Sequence, residues 1–325
     1  MQSRTSTTPA SARSLASWGL SHLGVILTVL WGAGTIGFLA VKLIPGDPVA
    51  ILTGGENVVD AAERGVLIRE YGLDQPLPVQ YARYLGAALA GDFGSSYQYR
   101  QPVSRLIVDA AGPTLQLAGG AILLALALAL TSALATAGYR TRLRTILTGL
   151  ELALLSMPVY WLGIALLALF SFRLRWFPVT GSDGPSALVL PIIALSLPQA
   201  ALISQVLRDG LEEALSQPFA LTVRTRGVSE TALLIRHGLR HAALAASTVT
   251  GTLTAGLLGG SILTETVFGR SGIGQITLLA IRTRDMPLVL GLVMTSALVF
   301  VVINLLVDAF YLIIDPRLRR AKAKG

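Results

Sequence analysis

An all-α protein threaded six times through a membrane is the fold class this sequence predicts. Three observations carry that expectation. Hydrophobic residues make up 53% of the 325 and charged residues only 14%, where soluble domains carry about 25% charged. Six apolar runs reach the length of roughly 20 residues that a helix needs to cross a bilayer. The segments between them carry arginine and lysine unevenly, as a multi-pass protein with a fixed orientation does.

The elements follow in order. Residues 1–19 form an N-terminal tail ahead of a first span, Leu20–Ile44. That apolar run is too long for the core of a signal peptide, and IPGDPV follows where a small-residue cleavage site would stand, so it reads as a retained helix. Residues 45–112 form an external segment rich in Gly, Pro, Asp and Tyr. Within it Asp60–Tyr71 and Val79–Ala90 have helical periodicity, separated by GLDQPLP, whose two prolines break the chain. Loops of this length are usually functional, which points to a folded cap or docking surface. The second and third spans are Leu115–Ala137 and Ile146–Phe172. Pro191 and Pro198 interrupt the fourth, Ala187–Leu207; membrane helices tolerate such prolines when neighbours satisfy the freed carbonyls. The fifth, Thr248–Phe268, carries a stripe of small residues: Thr248, Gly251, Thr252, Ala255, Gly256, Gly259 and Gly260. Gly256 and Gly260 stand in GxxxG spacing, suited to close helix packing or to lining a translocation path. Leu288–Ile314 is the sixth span, and residues 315–325 are a basic tail.

With the N-terminus placed in the cytoplasm, the inner segments hold fifteen basic residues and the outer ones ten. The 45–112 segment offsets its five arginines with eight acids. Both termini are therefore expected inside. The net charge of +8 has a membrane-surface explanation and calls for no nucleic acid partner. The absence of cysteine excludes disulfides and thiolate-ligated metals.

One stretch departs from this apolar background. Between Ser216 and Ala246 the chain is polar, holds Arg224, Arg226, Arg236 and Arg240, and has no proline after Pro218. A helix–turn–helix of this size between two spans is built to be gripped by another protein. Glu151, Glu265 and Asp308 lie near span boundaries, where structural anchoring is a better reading than proton relay. Enzyme signatures are negative. No GxxxxGK[ST] phosphate loop occurs, so ATP chemistry cannot be this chain's own; there is no GxSxG; and GRSGIGQI follows a membrane span rather than a strand. His237 and His241 have the spacing of a helical zinc pair, but Gly238 stands where the catalytic Glu of HExxH belongs. An intramembrane hydrolase and a self-sufficient secondary transporter are the competing classes, and neither explains the polar loop.

The polar stretch resembles the cytoplasmic EAA-type loop of importer permeases in the ATP-binding cassette superfamily, with Gly227 at its fixed glycine. Five further pieces agree: IPGDPV at 44–49, GLDQPLPVQYARYL at 72–85, GDFG at 91–94, LTETVFGRSGIGQ at 263–275, and RDMPLVLG at 284–291 leading into NLLVDAFYLIIDPRLR. The similarity is to permeases of the dipeptide/oligopeptide/nickel family, on the branch of the first of two permease subunits. It implies a type I importer fold: an N-terminal helix, an external subdomain, and a permease core at about 113–314. It implies a coupling helix around Thr225–Leu234, with Arg224, Thr225, Arg226, Gly227, Val228, Ser229 and Glu230 meeting an ATPase subunit, and Gly251, Ala255, Gly256, Gly259 and Gly260 on the path or in helix packing. Gly72, Asp74, Gln75, Tyr81 and Asp92 would meet a solute-binding protein. The implied partners are a homologous second permease, two ATPase subunits carrying ATP and Mg, an external binding protein and the lipid bilayer; no cofactor or metal is implied on this chain. Short peptides are the first expectation for the solute, ahead of nickel chelates or opines. Leu221 replaces an arginine and Ala245 a proline common in that family's loop.

Overall fold

The computed structural model describes residues 12–43, 49, 60–70, 72, 74–138, 142–181 and 184–314. Residues 1–11, most of IPGDPV and the tail 315–325 lie outside these residues, and the expected N-terminal tail is helical from Ala12 on. Helices α1 (Ala12–Leu43), α2 (Ala61–Glu70) and α3 (Leu77–Leu89) come first. The expected external helices are α2 and α3, and Pro76 and Pro78 open the second, at the first turn where a missing N–H costs nothing. Then come α4 (Val103–Thr136), α5 (Arg142–Ser156) and α6 (Val159–Leu166), which runs on as a π-helical turn to Arg173. α7 (Ser186–Ser216) is followed by the short α8 (Pro218–Thr225) and α9 (Glu230–Leu233). α10 (Leu239–Val267), α11 (Ile273–Arg282) and α12 (Met286–Ile314) complete the chain.

Among the described residues, α4, α7 and the Met286–Leu306 part of α12 are long and apolar enough to cross a membrane unaided. Two bent helix pairs bring the number to five if each is one span, and α1 carries a shorter apolar stretch, Gly24–Ala40. The third expected span, Ile146–Phe172, is corrected by the structure: α5 and α6 are inclined at 106°. The cause is Pro158, which sits at φ −59°, ψ 136°, outside the helical region, and forces Met157 out of the helix with it. The fourth span is the opposite case. Despite Pro191 and Pro198, α7 is one continuous helix of 31 residues. Its neighbours α4, α5, α6 and α10 surround it, which supplies the support that interior prolines need.

α7 is the centre of the molecule. Along α4, Ala121, Ala125, Ala129 and Ala133 recur every fourth residue, all fully buried, and Ala137 extends the row past the helix end. Ile203, Leu207 and Leu211 of α7, with Leu234, Ala242 and Ala246 from the second half of the polar loop, pack on the Ala125–Ala137 part of this row as one cluster. In lipid there is little hydrophobic drive between helices, so small residues that permit close backbone approach supply the adhesion. α1 packs on α12 by the same device; a Cβ at Gly37 would stand 3.2 Å from Leu290.

Candidate coupling and translocation site

The polar loop begins where α7 ends. Gln217 is extended (φ −71°, ψ 149°), Pro218 opens α8, and Ala220 is fully buried, so α8 is anchored at its start. The helix stops at Gly227. That residue has φ +76°, with its amide donating to the Arg224 carbonyl at 2.9 Å, the arrangement in which glycine ends helices. Nothing lies within 4 Å of a Cβ built there, so backbone conformation alone demands the glycine. Ser229 then caps α9, with Glu230 in the first turn where the helix dipole favours an acid.

The continuous coupling helix expected over Thr225–Leu234 is thus corrected. Thr225 ends one helix, Arg226–Ser229 is a non-helical turn, and the next helix begins at Glu230. Arg224 also has a partner within the chain. Its Nε lies 2.7 Å and its Nη2 3.2 Å from the Glu230 carboxylate, a two-pronged bridge across the Gly227 turn. The bridge holds Glu230 below the ordinary carboxylate range and raises Arg224, the hydrogen bond being the main cause of each shift. Thr225, Arg226, Arg236 and Arg240 are exposed, Val228 is half-buried, and Leu221 is 66% exposed. Phe219 stacks on His241 with ring centroids 5.2 Å apart and meets His237 at 6.4 Å, tying α8 to the base of α10. Among the described residues no group of three or more metal-ligating side chains assembles.

The base of the loop is tightly joined. A Cβ at Gly210 would stand 2.9 Å from the Cα and Cβ of Ala242, so α7 and α10 touch backbone to backbone there. Arg144 on α5 meets Glu212 on α7 at 2.8 Å. One turn deeper, Arg208 meets Glu151 at 2.7 Å, both side chains nearly inaccessible.

The small-residue stripe on α10 divides. Gly251 and Ala255 face the body of the bundle, whereas Thr248, Thr252 and Gly256 face outward, and nothing lies within 4 Å of a Cβ at Gly256. The surroundings of Gly259 and Gly260 lie outside the described residues. At the other end of α10, Glu265 is fully buried and takes a hydrogen bond from Thr114 Oγ1 at 2.6 Å and from the Gln275 amide at 3.1 Å. Cβ atoms at Gly272 and Gly274 would stand 2.4 Å from the Glu265 carboxyl and from Ile262 Cα, respectively. The GRSGIGQ motif is therefore a helix N-terminus cradling the chain's own carboxylate. α11, which sequence reading did not foresee, is the helix so held. Asp285, also buried, takes hydrogen bonds from Ser96 Oγ and from the Gln98 and Leu288 amides, fixing the other end of α11 to the segment before α4.

Of the residues implied to meet a binding protein, Gly72 is buried with φ +62°, Asp74 and Asp92 are exposed, and the Gln75 carbonyl accepts from Gln80. Asp92 Oδ1 accepts from the Gly94 amide at 2.9 Å. Tyr81 faces α1: its hydroxyl is 2.6 Å from Thr35 Oγ1 and its ring lies edge-on to Phe38. Tyr84 stacks on Phe38 as well, and burial, followed by the neighbouring Tyr81, pushes its phenol up to about 12.

The described residues thus form a helical bundle with buried ionic joints and one exposed basic helix–turn–helix. Residues 95–320 match the family of binding-protein-dependent transport system inner membrane components. The glutathione transport system permease protein GsiC of Salmonella paratyphi A is 37% identical over 299 residues, covering 91% of this chain and 96% of that protein. GsiC of Escherichia coli K12 is 34% identical over 298 residues, with the same coverage. A crystal structure of an amino acid ABC transporter with histidines superposes with TM-score 0.49 at 16% identity, covering 64% of this chain and 94% of that one. The chain belongs to the family of binding-protein-dependent transport system inner membrane components, as an ATP-binding cassette importer permease of the dipeptide/oligopeptide/nickel group. It is a transport subunit and not an enzyme.

Proposed function

We propose that this permease, paired with a homologous second permease, forms the path for a short peptide, working by alternating access in a bacterial inner membrane with both termini cytoplasmic. Two separate ATPase subunits bind ATP and Mg and drive it by gripping the 216–246 loop. An extracytoplasmic binding protein delivers the solute to the 45–112 segment. The observation that carries this reading is the exposed turn at Gly227, set between α8 and α9 and joined at its base to α7 and α10. A lever needs an accessible grip and a stiff attachment, and this loop has both. The basic exposed face suits an acidic groove, with Arg226 available to it and Arg224 already engaged by Glu230. The relatives named for glutathione transport support a peptide-like solute.

The test replaces Gly227 with valine in the assembled importer. A β-branched residue at φ +76° strains the turn. Transport and solute-stimulated ATPase activity are both expected to fall at least tenfold; survival of both would sink the coupling role. Ligands carried by the cognate binding protein, identified by mass spectrometry, test the solute. Recovery of nickel chelates rather than peptides would overturn that part alone.

A further inference from the structure

We propose that Arg208 and Glu151 form the fulcrum that passes displacement of the polar loop to the membrane helices, a role that rests on the coupling reading above. α7 runs without a break from the bundle to the loop, and Arg208 lies eight residues, about 12 Å, before its last residue, Ser216. At that level its guanidinium reaches three helices. Nε donates to Thr136 Oγ1 of α4 at 2.8 Å, Nη1 to Thr148 Oγ1 of α5 at 3.2 Å, and Nη2 to Glu151 Oε1 of α5 at 2.7 Å. Nη2 also donates to Ser204 Oγ of α7 itself at 3.2 Å. Glu151 Oε1 further accepts from Ser132 of α4 at 2.9 Å and from Ser204 at 2.7 Å. The side chains of Arg208 and Glu151 are 4% and 8% exposed.

Adhesion does not require this pair. Apolar residues of similar volume hold helices together at least as well, and a buried pair repays its desolvation only with full hydrogen bonding. What a charged joint adds is direction: α4, α5 and α7 are fixed to one point near the loop, so a push on α8 turns them together. The unused oxygen supports this. Glu151 Oε2 is buried and has no hydrogen-bond partner. It offers Nη2 a second seat, so the ion pair survives small adjustments while the three helices turn as one. Gly210 against Ala242 makes the matching joint to α10 about half a turn nearer the loop.

The test uses the whole importer with its binding protein in lipid nanodiscs. The chain has no cysteine, so cysteines introduced at the exposed Leu123 of α4 and Leu298 of α12 carry spin labels at defined places in this subunit. The change in their separation on trapping with ATP and vanadate is measured beside the rate of ATP hydrolysis. The trapped fraction of each variant is measured from its bound nucleotide and the movement is read per trapped complex, so poor yield of a variant does not alter the reading. Arg208→Gln and Glu151→Gln are expected to keep hydrolysis within threefold of the parent while the movement shrinks to a third or less. Arg208→Lys, which keeps the charge, is expected to restore most of it. Full movement in the glutamine variants would overturn the fulcrum, as would loss of hydrolysis and movement in equal proportion. If those variants do not assemble, Thr136→Val and Ser132→Ala each remove one hydrogen bond of the joint, and unchanged movement in both is equally fatal. Gly227→Val, run in parallel, separates the two readings: failure there removes the coupling loop itself, and failure at Arg208 alone removes only the fulcrum.

Discussion

Gly274→Ala adds one methyl group where the chain has no room for it. The new Cβ would lie 2.4 Å from Ile262 Cα and 2.9 Å from Glu265 Oε2. Ordinary carbon contacts are about 3.5–4.0 Å, so the first turn of α11 must retreat by more than an ångström, because Ile262 Cα is backbone and cannot step aside. The Gln275 amide, now 3.1 Å from Glu265 Oε2, moves out of hydrogen-bond range with it. Overpacking costs about 1–3 kcal/mol, and a hydrogen bond to a charged group about 1.5–3 kcal/mol. The two losses share one displacement and do not add fully, so we take about 2 kcal/mol. At about 2–4 °C per kcal/mol, the melting temperature of the detergent-solubilised importer is expected to fall by roughly 4–8 °C, followed by tryptophan fluorescence. Gly256→Ala is the control: it sits in the middle of α10 with nothing within 4 Å, and alanine favours helix over glycine by up to about 1 kcal/mol. If Gly274→Ala melted with the parent, or no lower than Gly256→Ala, the carboxylate cradle would be refuted.

Asp285→Ala leaves Ser96 Oγ and the Leu288 amide without their buried acceptor, at a cost of about 2–4 kcal/mol, and limited proteolysis is expected to cut the 93–103 segment sooner. Gly210→Val drives a branched side chain into the Ala242 backbone; α7 and α10 separate at the base of the loop, and transport is expected to fall at least tenfold with the complex still assembled by size exclusion. Arg224→Ala is expected to leave thermal stability unchanged, since the bridge to Glu230 is exposed. The same bridge carries a pH signature. Glu230 is held below its ordinary 4.5, so the bridge persists above that value and is lost as pH falls through the lower folded one. Carbon-detected NMR of a Glu-labelled chain is expected to show a Glu230 midpoint below those of the other glutamates; an ordinary midpoint would remove the bridge.

Much of the architecture is written locally in the chain. The prolines of GLDQPLP separate α2 from α3, and Gly227 marks the turn in the polar loop, because each acts on its own backbone. The bend at Pro158 was equally local, since Met157–Pro158 disfavours helix at Met157; a long apolar run hid it. α11 went unread because IGQITLLAIR is too short to stand out beside two spans. The ionic joints are another matter. Glu265 finds Thr114 across 151 residues, Asp285 finds Ser96 across 189, and Arg208 finds Glu151 across 57. Nothing in the neighbourhood of either partner encodes the other. The motifs GRSGIGQ and RDMP carried the family resemblance, but only the fold says what they hold. Arg224 was equally unreadable in its local pairing: implied as a contact for an ATPase subunit, it is bridged to Glu230 within its own loop.

The alanine row of α4 has a thermal consequence. The surface that Ala121, Ala125, Ala129 and Ala133 bury against α7 and its neighbours leaves lipid, not water, when the bundle forms. Adhesion released from water weakens on cooling, because its driving force near room temperature is entropic. Dispersion between methyl groups has no such dependence, and alanine has no side-chain rotamers to freeze. The seam at the centre of this permease is thus expected to hold as firmly in the cold as at growth temperature, while any apolar contact of the chain that forms from water loosens first.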